Sequence, residues 1–314
     1  MLRLQLPHHF SLAHAVCSYG YFVLAPNYWQ PSTSDDPNRG RLHRMLCVAD
    51  VTIPVVIRQS RSGSELIIDC QGTVPRKLHR GIKAQVSRML HLDECFDAWR
   101  SIHPQAWAAN FTRIFRSPTL FEDMIKTITS CNVSWPNTIR MNRQLCREYG
   151  SGGSFPGPID LASEETEKLK NRVSVGYRAE RIIRLARDIV EGRIDLSWYE
   201  STDRCSEELY DSLRGIYGFG DYAASNVLQL LGRYDRLPID SEVIRHFKTH
   251  HPKYANKPTK QIAEAATKFY GRYDPYQFMA YWFDLWQDAE HNNGPAYNWP
   301  LKRPEHYSPP RSIQ

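Results

Sequence analysis

The chain has 314 residues, of which 41% are hydrophobic and 24% are charged, and its net charge is +6 at pH 7. This length is enough for a sizeable core and for one large or two ordinary domains. The composition is that of a soluble globular protein, and no apolar run approaches the length that a membrane span needs. The mildly basic balance, with a pI of about 8.9, suits a nucleic-acid partner but is also common among cytosolic proteins.

The N-terminus and the cysteines indicate an intracellular protein. Residues 1–9 contain no signal-peptide core. The seven cysteines are scattered, odd in number and never spaced as Cys-x-x-Cys, which is typical of a reduced chain rather than a disulfide framework. We therefore expect a location in the cytoplasm, nucleoid or nucleus.

The first 75 residues or so are predicted to form strands. Residues 44–58 are rich in β-branched side chains, and residues 65–70 indicate the next strand after a Ser-Gly-Ser turn. Residues 32–40 are predicted to form a polar loop. From Val74 onward the apolar spacing becomes that of helices. Helices are predicted over Leu78–Leu92, Pro118–Cys131, Pro136–Tyr149, Tyr177–Glu191, Ser206–Gly215, Asp221–Gly232, Ser241–Thr249, Thr259–Tyr270 and Pro275–Asp288.

The sequence thus predicts an α+β fold that is mainly α. We expect a small antiparallel β domain over residues 1–92, a helical domain over residues 93–291 and a Pro-rich tail over residues 292–314. The composition of the tail indicates extended or disordered chain.

One segment carries most of the chemical signal. Apolar residues at helical spacing predict a helix that ends near Ile216 and a second helix after Gly220, with a tight Gly-x-Gly hairpin between them. Gly218 and Gly220 permit backbone angles that other residues avoid, and they leave the amides bare. Bare amides at a helix start form an anion site that suits phosphate. A lone aspartate, Asp240, follows in the sequence Leu-Pro-Ile-Asp.

The hairpin together with Leu-Pro-Ile-Asp240 resembles the helix-hairpin-helix (HhH-GPD) DNA glycosylases of base excision repair, in particular their 8-oxoguanine and 3-methyladenine branch. The resemblance implies that Asp240 is the catalytic aspartate, which would stabilise an oxocarbenium-like sugar and orient or deprotonate water. Because Ser241 begins a predicted helix, Asp240 also suits the role of a helix N-cap.

The residue two positions after the hairpin separates two mechanisms. Family members that also cleave the DNA strand have a lysine here as a Schiff-base nucleophile, whereas this sequence has Tyr222. A phenol cannot form an imine, so the resemblance implies a monofunctional, hydrolytic glycosylase. Tyr222 also suits simple packing at the helix start.

Two alternatives remain open. A non-catalytic protein could keep the hairpin only to bind DNA, although such a protein would have no need of Asp240. A bifunctional 8-oxoguanine glycosylase/lyase could use a lysine from elsewhere, the nearest one downstream being Lys248.

The resemblance also implies a structural Na⁺ or K⁺ ion at the hairpin, which bridges backbone carbonyls to a DNA phosphate. The matching carbonyls are those of Arg214, Ile216 and Phe219, and the amides that would face the phosphate are those of Gly218, Gly220 and Ala223. Such contacts position the protein on DNA without reading its sequence. No cofactor is expected to be required, and the scattered cysteines exclude the four-cysteine iron–sulfur cluster of some relatives.

Two further segments resemble those with which 8-oxoguanine glycosylases flip a base out of the duplex and fill the gap. Asn132 matches the plug asparagine, Tyr177 matches the wedge tyrosine, and Arg178 matches the arginine that hydrogen-bonds the widowed base. The alternatives are a turn residue for Asn132, and a half-buried ring with a solvated charge for the Tyr–Arg pair.

Gln277 and Tyr281 share one face of a predicted helix and match positions that contact the flipped purine in the 8-oxoguanine branch. Tyr281 also suits core packing. Two departures weaken the transfer of 8-oxoguanine specificity: Asn226 replaces a base-sandwiching Cys, and Glu242 replaces a phosphate-contacting His. A carboxylate beside a phosphate is repulsive unless it points away. An aromatic pocket would also suit a cationic alkylated purine.

The partner that we expect is double-stranded DNA with an alkylated, deaminated or oxidised base, bound by a monomer.

Overall fold

The computed structural model describes residues 1–300. The chain divides into two compact units, each built from segments that are distant in sequence. The sheet unit comprises Met1–Glu94, Arg113–Leu196 and the described part of Gly294–Gln314, and the hairpin unit comprises Cys95–Thr112 and Ser197–Asn293. These units do not coincide with the segments 1–92, 93–291 and 292–314, whose status as domains stays a prediction.

The sheet unit begins with a five-stranded antiparallel sheet, as predicted. Its strands lie side by side in the order β1-β5-β4-β3-β2. One row of paired, buried apolar residues crosses all five strands: Leu2, Ile68, Ile57, Leu42 and Trp29. This row gives the sheet one continuous hydrophobic face, which fixes the register. The strands are β1 (Leu2–Gln5), β2 (Tyr28–Gln30), β3 (Arg41–Val48), β4 (Val51–Gln59) and β5 (Glu65–Cys70).

Residues 44–58, which are rich in β-branched side chains, are divided between two strands, β3 and β4. Val48 at the end of β3 pairs directly with Val51 at the start of β4. The two residues between them, Ala49 and Asp50, both have left-handed backbones, with φ of 47° and 61°. Two-residue hairpins with this backbone are usually signalled by Asn-Gly or Asp-Gly. Ala-Asp gives no such signal, and the turn is therefore invisible in the sequence.

Helices make up most of the remaining structure in both units. All nine helices predicted from Leu78 onward are present, with ends that differ by a few residues. Within residues 1–300, no helix is both long and apolar enough to cross a membrane. The helices are α1 (Leu12–Val16), α2 (His79–Met89), α3 (Asp97–Ile102), α4 (Pro104–Ala108), α5 (Leu120–Ser130), α6 (Trp135–Tyr149), α7 (Pro158–Ala162), α8 (Thr166–Val173), α9 (Arg178–Val190), α10 (Leu196–Tyr199), α11 (Ser206–Gly215), α12 (Asp221–Leu230), α13 (Ser241–His250), α14 (Thr259–Tyr270) and α15 (Gln277–Asn293).

The described part of the Pro-rich segment packs within the sheet unit. Ala296–Asn298 form a short 3-10 turn. The indole N–H of Trp29 donates to the Tyr297 carbonyl at 2.9 Å, and the ring centroid of Trp299 lies 6.3 Å from that of Phe22. The expectation of an extended or disordered tail is wrong for residues 296–299, because the chain turns there and Tyr297 and Trp299 contact Trp29 and Phe22. Residues 301–314 lie outside the described part of the chain.

A charged cluster lies in the core of the sheet unit. Arg44 on β3 and Glu122 and Lys126 on α5 have side-chain exposures of 1%, 3% and 0%. Glu122 forms ion pairs with Arg44 and, at 2.7 Å, with Lys126. Burial alone would raise the pKa of Glu122, but the two cations outweigh this effect and hold that pKa below its usual value. The ionised carboxylate therefore compensates two buried positive charges.

We expect Glu122→Gln to lower the free energy of unfolding by about 3–5 kcal/mol, because it leaves two buried cations without their shared anion. Urea titration of the purified protein measures this change. The control is Lys168→Gln, which breaks an exposed ion pair with Glu165 and should cost less than about 1 kcal/mol. Similar losses in the two variants would contradict the assignment of a stabilising role to the buried cluster.

Candidate nucleic-acid interface and active site

The predicted helix-hairpin-helix is present in the hairpin unit. Leu209 and Leu213 on α11 and Val227 on α12 are fully buried, so the two helices are anchored by their apolar faces. Gly218 has a φ of +84°, which only glycine adopts without strain. The Phe219 N–H donates to the Ile216 carbonyl at 3.0 Å and closes the bend. The hairpin backbone therefore depends on a glycine at position 218.

The N-terminus of α12 begins at this hairpin. Gly220 is its N-cap, and a β-carbon placed there would meet no atom within 4 Å. The space above Gly220 is thus not filled by the protein's own packing. The first amides of a helix have no partner within that helix, and the helix dipole favours an anion beside them. The predicted amide donors Gly218, Gly220 and Ala223 lie in this stretch, and their contact with phosphate stays a prediction.

One acid, Asp221, occupies the first turn of α12 beside the expected anion site. It forms an ion pair with Arg214 and accepts a hydrogen bond from the Tyr210 hydroxyl at 2.8 Å. The guanidinium of Arg236 stacks on the Tyr210 ring, 3.9 Å from its centroid. Arg214 compensates the charge of Asp221, and Arg236 adds a positive charge beside Tyr210, so this region keeps a positive character that suits a polyanion.

Asp240 is the N-cap of α13, which is the alternative to catalysis that the sequence indicated for this residue. Its Oδ1 accepts a hydrogen bond from the Val243 N–H at 2.8 Å. Burial raises the pKa of the Asp240 carboxyl and the charge of Glu242 adds to the rise, while backbone hydrogen bonds oppose it. The capping bond therefore holds a half-buried carboxyl whose proton affinity is greater than usual. Such a group is suited to proton transfer, so capping and catalysis are compatible in this residue.

Tyr281 on α15 lies within electrostatic reach of Asp240 and Tyr222. Burial raises the pKa of its hydroxyl, and the negative charges of Asp240 and Glu242 raise it further, with a contribution from Tyr222. Tyr281 is only 2% exposed, and it packs edge-to-face against Tyr270, with the centroids 5.6 Å apart. The phenol therefore stays neutral beside the acid, and its ring also belongs to the core.

The two other predicted pocket residues differ in how they are held. The Gln277 amide nitrogen donates to Asp274 at 2.8 Å, while its amide oxygen is buried without a hydrogen-bond partner. An unpaired buried oxygen is costly and marks Gln277 as an acceptor that a ligand could satisfy. Asn226 is buried on α12, and its side-chain oxygen accepts from Gln229 at 2.7 Å. Asn226 is thus tied to its own helix, and its contact with a base stays a prediction.

Asn132, Tyr177 and Arg178 lie together in the sheet unit. Asn132 has a left-handed backbone, with φ of 50°, in the turn between α5 and α6. Arg178 is buried and donates to the carbonyls of Cys131 and, at 3.1 Å, Asn132. The alternative of a solvated charge is therefore wrong for Arg178, because the guanidinium holds the turn that presents Asn132. Tyr177 is 52% exposed, which leaves its ring available to a partner; the roles of all three toward DNA stay predictions.

Sequence reasoning assigned no role to Trp135, which begins α6 three residues after Asn132. Its side chain is 41% exposed although tryptophan usually buries its ring. A β-carbon on Gly20 would lie 3.0 Å from the indole, so one side of the ring rests on a glycine. The sequence signal that could have indicated Trp135 is an aromatic residue three positions after the predicted turn residue Asn132. Trp135 thus adds an exposed aromatic side chain shortly after Asn132 in the chain.

The sheet, the paired helices with a glycine hairpin and the capping aspartate are the features that the resemblance in the sequence predicts. Residues 125–272 match the family model described as "HhH-GPD superfamily base excision DNA repair protein". The matched segment contains the hairpin and Asp240. The resemblance seen in the sequence is thereby confirmed.

Named relatives agree with this assignment. Over 198 residues the chain is 24% identical to the "Alkylbase DNA glycosidase-like protein mag2" of Schizosaccharomyces pombe. This match covers 63% of the present chain and 90% of that protein. Over 167 residues it is 28% identical to the "N-glycosylase/DNA lyase" of Saccharomyces cerevisiae. This match covers 48% of the present chain and 44% of that protein, so the chain spans less than half of it. A 3-methyladenine DNA-glycosylase structure from Archaeoglobus fulgidus has the same fold, with a TM-score of 0.68 over 92% of this chain and 99% of that chain at 15% identity.

We expect Gly218→Ala to destabilise the protein by about 1–3 kcal/mol, because alanine is strained at a positive φ. Gly215→Ala is the matched control: it lies at the end of α11, where a β-carbon meets nothing within 4 Å, and alanine there should be neutral or stabilise by up to about 1 kcal/mol. Urea unfolding of both variants makes the comparison. If the two alanines have the same effect, the hairpin does not require a left-handed residue.

Proposed function

We propose that this protein is a monofunctional DNA glycosylase, which hydrolyses the N-glycosidic bond of a damaged base flipped from double-stranded DNA. Two of its relatives are named as an alkylbase DNA glycosidase-like protein and an N-glycosylase/DNA lyase. The observation that carries the proposal is the half-buried Asp240 carboxyl with its raised pKa, held at a helix start in the same unit as the glycine hairpin.

Asp240 suits the chemistry of this bond. Cleavage passes through an oxocarbenium-like sugar, and a carboxylate beside the anomeric carbon stabilises its charge and orients or deprotonates water. The Val243 N–H fixes one carboxylate oxygen, so the side chain does not have to be immobilised when substrate binds. Partial burial strengthens its interaction with a developing positive charge.

Tyr222 supports hydrolysis rather than strand cleavage. A lyase step requires an amine that forms an imine with the sugar, and the phenol of Tyr222 has none. The next lysine downstream is Lys248. It lies near the C-terminal end of α13, whereas Asp240 caps the N-terminal end. Water is therefore the nucleophile in the proposed reaction. The alternative of a glycosylase/lyase would need a lysine from another part of the chain.

DNA backbone binding is assigned to the hairpin. The amides of Gly218, Gly220 and Ala223 would receive a phosphate, and a Na⁺ or K⁺ ion would be held by the carbonyls of Arg214, Ile216 and Phe219. These neutral oxygens are the donor type that such a hard cation prefers, and the left-handed backbone of Gly218 bends this segment. The ion would supply positive charge toward the phosphate. In the sheet unit, Asn132 would fill the gap that the flipped base leaves. Tyr177 would wedge into the duplex, and Arg178 would hydrogen-bond the widowed base.

The substrate class that we propose is an alkylated, deaminated or oxidised base. Tyr281 offers an aromatic ring and Gln277 an unpaired amide oxygen, which can accept a hydrogen bond from a base edge. Glu242 does not oppose DNA binding as its position alone suggests, because Arg245 donates to its carboxylate at 2.9 Å and compensates its charge. We further propose that the protein acts as a monomer inside the cell, where its substrate lies.

We expect Asp240→Asn to slow base release by about 10²–10⁴-fold while duplex binding changes little. Asparagine caps helices as well as aspartate does, so the variant keeps the fold and removes only the charge. The assay uses duplexes that each contain one alkylated, deaminated or oxidised base, scored for abasic sites.

The control is Asp36→Asn, since Asp36 also caps a helical turn by accepting from a backbone N–H, that of Asn38, and lies in the sheet unit. Its activity should match the wild type. Undiminished release by the Asp240 variant would remove Asp240 from catalysis. Failure of the wild type to release any base would favour the DNA-binding protein without activity.

Base release should leave an intact DNA strand, because Tyr222 cannot form a covalent imine with the sugar. Borohydride added during turnover of a cleaved duplex should trap no protein–DNA adduct on a denaturing gel. Tyr222→Lys is the informative comparison, since it restores an amine at this position. An adduct with the wild-type protein would contradict the monofunctional mechanism.

A further inference from the structure

The hairpin unit contains a second polar cluster, further along α13 from Asp240. His246 and His250 lie one turn apart on the same face of α13, with ring centroids 4.4 Å apart. Asp288 on α15 faces both: its Oδ2 is 3.1 Å from His246 Nδ1 and 2.6 Å from His250 Nε2. One potential ligand atom from each of the three residues lies within 4.8 Å of the others.

His246 is the least satisfied member of this cluster. It is only 2% exposed, and its Nδ1 makes no hydrogen bond despite its proximity to Asp288. A buried nitrogen without a hydrogen-bond partner destabilises the folded protein. An imidazole nitrogen that has no hydrogen-bond partner is available to coordinate a metal ion.

We propose that His246, His250 and Asp288 bind a divalent transition-metal ion of the zinc type. Two imidazole nitrogens and one carboxylate oxygen are a donor set that zinc accepts, with water in the fourth position. Ligand atoms around a tetrahedral zinc lie roughly 3.3 Å apart, close to the 3.1 Å between His246 and Asp288. Mg²⁺ and Ca²⁺ prefer oxygen donors and suit this set poorly.

The ion would fasten α13 to α15. Asp240 caps α13, and Gln277 and Tyr281 lie on α15, so a metal bridge would hold the elements that carry the proposed active site in one arrangement. The His246 ring also packs edge-to-face on Tyr281, with centroids 5.7 Å apart. The site is structural in this proposal, and it does not depend on the glycosylase assignment.

Zinc binding to the full-length, metal-free protein tests the proposal. Isothermal titration with zinc sulfate should show one more equivalent bound by wild type than by His250→Ala. Zinc should raise the thermal midpoint of the wild type but not that of His250→Ala. His250 has a 44% exposed side chain, so its loss should leave the fold intact, as circular dichroism can verify. Asp288→Asn provides a second variant, with affinity for this ion at least about tenfold weaker.

His8→Ala is the control, because His8 is exposed in the sheet unit. It should retain the full stoichiometry and the full thermal shift. Equal zinc binding by wild type and His250→Ala would overturn the proposal and assign the ion to other groups, such as the free cysteines. The absence of any zinc-dependent thermal shift in the wild type would also overturn it.

Discussion

The hydrogen bond from the Val243 N–H to Asp240 Oδ1 links the fold of this protein to its proposed chemistry. It satisfies an amide at the start of α13 and at the same time fixes a carboxylate that burial has made more basic. A group fixed in this way needs no reorganisation when charge develops beside it, which is how enzymes obtain electrostatic stabilisation. Tyr281, kept neutral by its own burial and by this acid, completes the environment.

Charge compensation is the second common theme. The carboxylates next to the expected DNA contacts are each paired with an arginine: Asp221 with Arg214, and Glu242 with Arg245. These exposed pairs contribute little stability, but they remove negative charge from a surface that must approach phosphates. The buried Glu122 serves the opposite purpose, since it compensates cations inside the sheet unit. Ion pairs of acidic residues thus reduce the negative charge of the surface in one place and compensate positive charge in the core in another.

The sequence was most informative where the determinants are local. Helix periodicity, the Gly218 hairpin and the capping position of Asp240 depend on neighbouring residues, and these features could be predicted. Long-range contacts could not: nothing near Arg178 indicates that its guanidinium supports the Asn132 turn. The Ala49–Asp50 turn lacked its usual glycine, and the packing of Tyr297 depends on Trp29, which lies far away in the chain. The approach of Asp288 to the two histidines of α13 likewise requires the tertiary fold.

The interleaved connectivity of the two units has a consequence for biosynthesis. The chain passes from one unit to the other four times, at residues 94–95, 112–113, 196–197 and 293–294. During translation the hairpin unit is therefore complete before the sheet unit. The Tyr297 carbonyl, which accepts a hydrogen bond from Trp29 in the sheet unit, is synthesised after the last residue of the hairpin unit. The strands near the N-terminus are therefore synthesised long before residues 294–300, with which they pack. Because each unit consists of segments that are separated in the sequence, neither unit can be produced by cutting the gene at a single position.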